Sequence, residues 1–147
     1  MHRRFFLKST ALLTAALALP HQAWAAWPNK AFKSNKIKDA MMSLYGTADY
    51  TPSDAILFKA PEIAENGTVV PLSISFDGQV KNIAVLVEEN PAPLAAFFEF
   101  GPKSAASVST RIKMGDSSLV HAVAQTADGQ LIGTAKEVKV TIGGCGG

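Results

Sequence analysis

Alternation of apolar and polar residues predicts β-strands over most of the chain. Between Val70 and Phe76 every second residue is apolar, and Ser73 and Ser75 lie between them. This period of two is typical of a strand with one buried face. Comparable segments predict strands near 56–59, 68–76, 80–87, 94–100, 108–114, 119–126 and 130–142. About seven strands separated by turn residues predict an all-β fold, an immunoglobulin-like β-sandwich.

Two Asp-Gly pairs predict hairpin turns within this sandwich. Asp77-Gly78 lies between the second and third predicted strands, and Asp128-Gly129 lies between the last two. Glycine adopts the positive φ angles that tight hairpins require, so Asp-Gly between two apolar segments is a strong hairpin signal. We therefore expect each pair to connect two antiparallel strands that are neighbours in one sheet.

A helical period precedes the strands. One face of the predicted helix carries Ile37, Met41, Leu44 and Tyr45. Ser34 is a suitable N-cap and Gly46 a suitable C-terminal residue, so a helix is expected between them. Residues 26–33 are polar and basic and show no apolar period. Four lysines are expected to form a solvent-exposed face: Lys30, Lys33, Lys36 and Lys38.

The first 25 residues have the three zones of an export signal. Residues 1–8 are basic, 9–19 are apolar, and Ala23-Trp24-Ala25 is a cleavage site of the small-x-small type. The apolar zone is too short for the ~20 residues that span a bilayer. Arg3 and Arg4 begin a segment, Arg-Arg-Phe-Phe-Leu-Lys, that resembles the twin-arginine export motif. The prediction is a signal peptide over 1–25 and a periplasmic protein that is not embedded in the membrane.

Charge and composition narrow the choice of partners. The chain has 147 residues, 48% of them hydrophobic and 18% charged, as expected of one globular domain. Removal of the signal takes away Arg3, Arg4 and Lys8, three of 14 basic residues, and leaves 11 against 12 acidic ones. A near-neutral protein gives no reason to expect nucleic acid or an anionic membrane surface as partner.

The chemistry of the chain is concentrated in its last five residues. Cys145 is the single cysteine, and it lies between Gly143-Gly144 and Gly146-Gly147. These glycines leave the backbone free and supply no side chains to bury the thiol. From Ile142 to Cys145 the chain advances by three residues, a reach of about 10 Å. Residues 143–147 are therefore predicted to be a flexible arm that carries a thiol, beyond a helical lead-in (26–55) and the sandwich (56–142).

A lone exposed thiol in an oxidising compartment is expected to be used between molecules, for a covalent cargo, a partner disulfide or a metal. Metal is disfavoured, because His121 is the only histidine outside the signal, and we expect no metal or other cofactor. His121 is interpreted as a half-buried packing residue, and Glu88, Glu89 and Asp116 as loop or edge charges. A flexible tail cannot hold a base beside the nucleophile, so the chain is predicted to be a carrier rather than an enzyme.

The tail Gly143–Gly147 resembles that of the SoxY family, the sulfur-carrier subunits of the bacterial thiosulfate-oxidising (Sox) system. The resemblance extends to the twin-arginine signal, from which His2 departs, and to Pro61–Gly67 followed by Val70-Pro71. It implies an immunoglobulin-like fold, a heterodimer with a SoxZ-like subunit, and Cys145 as the site of sulfur attachment. It also implies that SoxXA couples thiosulfate to the thiol, that SoxB releases sulfate, and that SoxCD in some organisms oxidises the remaining sulfur.

Two other functions stay open at this point. The first is a periplasmic immunoglobulin-like interaction module that forms an intermolecular disulfide through Cys145. The second treats Gly146-Gly147 as the tail of a ubiquitin-like sulfur carrier with a terminal thiocarboxylate, although the export signal and the strand pattern count against it.

Overall fold

The computed structural model describes residues 27–142. Its helices are α1 (Asn29–Phe32) and α2 (Ile37–Tyr45). Its strands are β1 (Thr51–Pro52), β2 (Ile56–Lys59), β3 (Ile63–Ala64), β4 (Val70–Phe76), β5 (Val80–Val87), β6 (Leu94–Glu99), β7 (Ser107–Ile112), β8 (Ser118–Thr126) and β9 (Leu131–Val140). None of the helices within 27–142 is both long enough and apolar enough to cross a membrane.

The strands form two sheets, which confirms the predicted all-β, immunoglobulin-like fold. One sheet has the order β1-β9-β8-β5-β6, with β3 also paired to β9, and the other has the order β2-β4-β7. The seven predicted strands are all present. The additional strands β1 and β3 have two residues each and run parallel to β9. Two residues are too few to show a period, so these strands depend on pairing with β9. β1 lies within the segment predicted as a helical lead-in (26–55).

The main core lies between the two sheets and follows the predicted alternation. Val70, Leu72 and Ile74 of β4 point into it and are at most 3% exposed. The segment 83–87 of β5 is buried at every position, because the other face of this strand packs under the helices. Burial on both faces explains why the segment 83–87 is apolar without interruption, whereas β4 alternates.

Helix α2 ends as predicted and begins later than predicted. Gly46 adopts the left-handed conformation, with φ of 72°, and its N–H donates to the carbonyl of Met42 at 2.9 Å. Ser34 does not cap α2, because its hydroxyl donates to the carbonyl of Lys30 at 2.8 Å and Lys36 is the N-cap residue. Ser34 instead follows α1, a single turn that was not predicted because four residues cannot show a helical period. All four lysines of the predicted basic face are exposed.

The two Asp-Gly turns differ in what they connect. Asp128-Gly129 joins β8 to β9 in an antiparallel hairpin, and Gly129 has a φ of 91°, as predicted. The hairpin predicted at Asp77-Gly78 is wrong, because β4 and β5 belong to different sheets. This turn therefore carries the chain from one sheet to the other. The local sequence requires a sharp reversal in both cases, but the partners of β4 and β5 are chosen by distant strands.

Candidate functional site at the carboxyl-terminal end of the sandwich

The predicted site residues lie outside the described part of the chain. These are Cys145, its flanking glycines Gly143, Gly144, Gly146 and Gly147, and the signal residues Arg3 and Arg4. The structure does describe the residues that lead to the predicted arm, up to Ile142. The geometry of this segment determines where the predicted arm would begin.

Backbone hydrogen bonds from the β3 segment hold one side of the end of β9. The N–H of Lys139 donates to the carbonyl of Glu62 at 3.0 Å, and the N–H of Thr141 donates to the carbonyl of Ala64 at 3.1 Å. The N–H of Gly67 donates to the carbonyl of Ile142 at 2.8 Å. Hydrogen bonding therefore continues for two residues beyond the last residue of β9.

Side-chain oxygens add two further bonds at the same place. The Thr141 hydroxyl donates to the carbonyl of Glu65 at 2.9 Å. From the opposite side, the hydroxyl oxygen of Ser117 accepts the N–H of Val140 at 2.9 Å. We call Glu62–Gly67, Ser117 and Lys139–Ile142 the arm base. It contains most of Pro61–Gly67, one of the segments on which the family resemblance rested.

A buried asparagine secures the loop that contacts the arm base. Asn90 is 8% exposed; its Nδ2 donates to the carbonyl of Lys113 at 2.8 Å, and its Oδ1 accepts the N–H of Gly115 at 3.0 Å. The neighbouring Met114 donates its N–H to the carbonyl of Gly67 at 2.7 Å. The β7–β8 loop is thus tied to Asn90 on one side and to the arm base on the other.

A second polar cluster, Glu88–His121–Tyr50, lies on the sheet face that also packs under the helices. The Nε2 atom of His121 is 2.7 Å from Oε1 of Glu88, and its Nδ1 atom is 2.8 Å from the Tyr50 hydroxyl. The His121 side chain is 13% exposed. His121 is half-buried, as predicted, but it is also hydrogen-bonded on both ring nitrogens. Glu88, predicted as a loop or edge charge, is one of its partners.

The tyrosine hydroxyl of this cluster keeps its proton over a wide pH range. Burial, and secondly the negative charge of Glu88, raise the pKa of Tyr50 above its ordinary value. Its hydroxyl therefore stays protonated at neutral pH. Within residues 27–142, no three His, Cys, Asp or Glu side chains are grouped so that they could hold a metal ion.

Gly133 is the sequence signal that could have indicated this cluster. A glycine within a strand often marks the close approach of another group, and here the Tyr50 ring lies on it. A Cβ atom at Gly133 would be 2.5 Å from Cδ2 and 2.6 Å from Cε2 of Tyr50.

We expect Gly133→Ala to destabilise the protein by about 1–3 kcal/mol, because the added methyl group displaces the Tyr50 ring and weakens its bond to His121. Denaturant unfolding measures this change. In a Tyr50→Ala background the same substitution should cost much less, since the colliding ring is absent. Equal costs in both backgrounds would show that contact with Tyr50 is not the reason for the glycine.

Together these features define a class: an immunoglobulin-like β-sandwich whose last strand leads into a glycine-flanked cysteine. The sequence model described as sulfur oxidation protein SoxY matches residues 41–145, a range that includes Cys145. The chain therefore belongs to the SoxY family, as the resemblance predicted. No curated protein matches the chain in sequence.

Solved structures agree with this assignment. The sulfur carrier protein SoxY from Chlorobium limicola f. thiosulfatophilum is 36% identical, with a TM-score of 0.64, and the match covers 73% of this chain and 97% of that one. A superoxide reductase (neelaredoxin) from Ignicoccus hospitalis is 16% identical, with a TM-score of 0.55, over 62% of this chain and 94% of that one. At that identity the second likeness concerns the fold alone.

Proposed function

We propose that the protein is a periplasmic sulfur carrier that holds thiosulfate-derived sulfur covalently on Cys145 and presents it to other proteins. Membership of the SoxY family confirms the predicted class of function, a sulfur carrier in thiosulfate oxidation. The observation that carries the proposal is that the family match extends through Cys145. The arm base supports it further, because it holds the chain up to Ile142 in a defined place next to the arm.

The proposed cycle begins by oxidation at the thiol. Thiosulfate and the Cys145 thiol form a sulfur–sulfur bond, and the product is a cysteine S-thiosulfonate. Two electrons and one proton leave, and the electrons pass to the haem of a SoxXA-like partner. Hydrolysis of this conjugate by a SoxB-like partner adds one water, breaks the bond between sulfur and the sulfonate group, and yields hydrogen sulfate and a cysteine persulfide. A SoxCD-like partner can then oxidise the remaining sulfur.

We propose that the chain contributes no catalytic group and no cofactor to these steps. A thiol nucleophile requires a base held close to it, and the glycines next to Cys145 in the sequence supply no side chain that could act as one. Activation is then supplied by each partner site that the arm enters. Slender glycines favour this mode of delivery, because they can pass through a channel that bulkier residues would block.

The Sox system involves partner proteins, and we propose a SoxZ-like subunit as the stable one. In the described part of the chain, β6 and β7 each lie at the end of a sheet. Exposed strand edges are commonly covered in native proteins, so a second immunoglobulin-like chain could pair with one of them. Purification of the mature protein from its native host tests this, and a monomer would contradict it.

Mass spectrometry of the carboxyl-terminal peptide tests the function directly. Protein isolated under alkylating, non-reducing conditions should carry an added sulfur atom, or sulfur plus a sulfonate group, on Cys145. Thiol reductants should remove the modification. A disulfide-linked dimer without added sulfur would instead support the interaction module, and reductant-resistant sulfur on the carboxyl group of Gly147 would support the ubiquitin-like carrier.

Export by the twin-arginine route gives a separate prediction. Replacing Arg3 and Arg4 by lysine should leave the precursor in the cytoplasm, because the receptor reads the arginine pair rather than its charge. Fractionation followed by intact-mass measurement distinguishes the precursor from the mature chain. Lys8→Arg is the matched control, because it exchanges the same residue types outside the pair and should be exported. Normal export of the double lysine variant would mean that another route is used.

A further inference from the structure

The described end of β9 makes more hydrogen bonds than the ladder between neighbouring strands alone would supply. Chain ends usually fray unless other groups tie them down. Here the two residues after β9 are each bonded: Thr141 by its N–H and by its hydroxyl, and Ile142 by its carbonyl. The bonding groups come from Ala64, Glu65 and Gly67, which are more than 70 positions away in sequence.

The bonds also come from two sides. The β3 segment contacts one edge of β9, and Ser117, in the loop before β8, accepts the N–H of Val140. Bonds on one side alone would let the strand end swing about that line of contact. Bonds on both sides oppose displacement in either direction within the sheet.

We propose that Thr141 and Ser117 are positioning residues that set the origin of the carrier arm. The inference rests on the proposed function, since it concerns how the arm of a carrier is presented. With Thr141 and Ile142 held, the tether of the proposed arm would begin at Gly143, and Cys145 is its third residue. If the arm base opened back to Val140, the tether would gain two residues and about 7 Å of reach. The thiol would then sample a larger volume and reach a partner's catalytic group less often.

This assignment also gives the Pro61–Gly67 segment a role. β3 is a two-residue strand at the rim of the sheet, and Ile63 is 60% exposed. Ala64 is the buried residue of β3. Because an alanine side chain is a single methyl group, β3 contributes little side-chain surface to the core. The backbone groups of the segment nevertheless supply Glu62, Ala64, Glu65 and Gly67 as bonding partners for the last described residues.

The test uses the double variant Thr141→Val/Ser117→Ala, which removes one donor and one acceptor with little change in shape. Lys136→Cys, at an exposed position of β9, gives a second thiol. Nitroxide labels on this introduced thiol and on Cys145 then report the distance between β9 and the arm by pulsed electron resonance. We expect a broader distribution in the double variant, with its long-distance limit extended by up to about 7 Å. Thr134→Val, the same exchange earlier in β9, is the matched control and should leave the distribution unchanged.

Hydrogen exchange and partner kinetics complete the test. Exchange at the amides of Val140 and Thr141 should accelerate about tenfold or more, which corresponds to a loss of about 1.4 kcal/mol in local opening free energy. Exchange at Val123, in the middle of β8, should not change. With partner enzymes, KM for the carrier should rise more than kcat falls, because the loaded thiol is intact but less often in place.

An unchanged distance distribution in the double variant would overturn the proposal, whatever the kinetics. The labelled protein carries no sulfur cargo, so this result does not depend on what the arm is loaded with. Failure of the carrier function would appear instead as the absence of added sulfur on Cys145 in the mass spectra. If the double variant unfolds, the single variants Thr141→Val and Ser117→Ala provide the same measurement, each with a smaller expected broadening.

Discussion

Cys145→Ser should abolish thiosulfate-dependent electron flow and leave the stability of the protein nearly unchanged. Serine cannot form the sulfur–sulfur bond that the proposed cycle requires, so turnover should fall below detection. Cys145 follows the last strand in the sequence and is flanked by glycines, so we expect its substitution to change the free energy of unfolding by less than about 0.5 kcal/mol. Cytochrome reduction with purified partners measures the first effect, and thermal unfolding measures the second.

A relocated thiol provides the sharpest control for this experiment. In the Cys145→Ser background, Ile142→Cys places a thiol on the arm base, at a residue that is 68% exposed. This thiol should react with a small alkylating reagent but should not restore electron flow, because it cannot extend into a partner site. Restored activity would mean that any exposed thiol near this end of the sandwich suffices. A large loss of stability in Cys145→Ser would show instead that the cysteine is packed.

Replacing Gly143 and Gly144 by valine should lower turnover by partner enzymes at least tenfold while leaving the thiol chemically competent. Valine restricts φ and ψ and favours extension of β9 beyond Ile142, so the arm becomes stiffer and thicker. Reaction with a small alkylating reagent should proceed at nearly the rate of the unmodified protein. Steady-state kinetics with partner enzymes, set against the alkylation rate, separate access to the partner from reactivity of the thiol.

Adding one glycine before Cys145 is the matched control for the valine pair. It changes the length of the arm by about 3.5 Å without making it stiff or bulky, and it should be tolerated better. Full turnover with the valine pair would show that the glycine arm is not the functional element. Cys145 would then have to be presented by a fixed structure, and the arm base would be expected to form part of it.

Short sequence patterns were sufficient to predict the elements whose conformation depends on residues close to one another in the chain. The alternation in β4, the αL cap at Gly46 and the hairpin at Asp128-Gly129 each depend on residues within a few positions of one another, and each was predicted correctly. The family assignment also came from short segments, because the glycine-flanked cysteine is a chemical feature of the sequence. Its identification needed no knowledge of the packing.

The elements that were missed or misassigned depend on partners far away in the chain. Asp77-Gly78 has the local chemistry of a hairpin, but β5 finds its neighbours in β6 and β8. β1 and β3 exist because β9 offers them a pairing edge. The partners of His121 are 33 and 71 positions away, so no local pattern could show that both of its ring nitrogens are bonded.

The order of residues along the chain is sufficient for three conclusions. It predicts the strand-rich fold and an export signal, and it contains the thiol that the family assignment makes the candidate site. By contrast, only the packing of the strands determines at which residues the described chain before that thiol is held. Nothing in the sequence singles out Thr141 or Ser117; their role arises because β9 brings Thr141 beside Glu65 and brings Val140 beside Ser117. Hydrogen bonds are short and directional, so only groups that the fold places within about 3 Å of each other can form them.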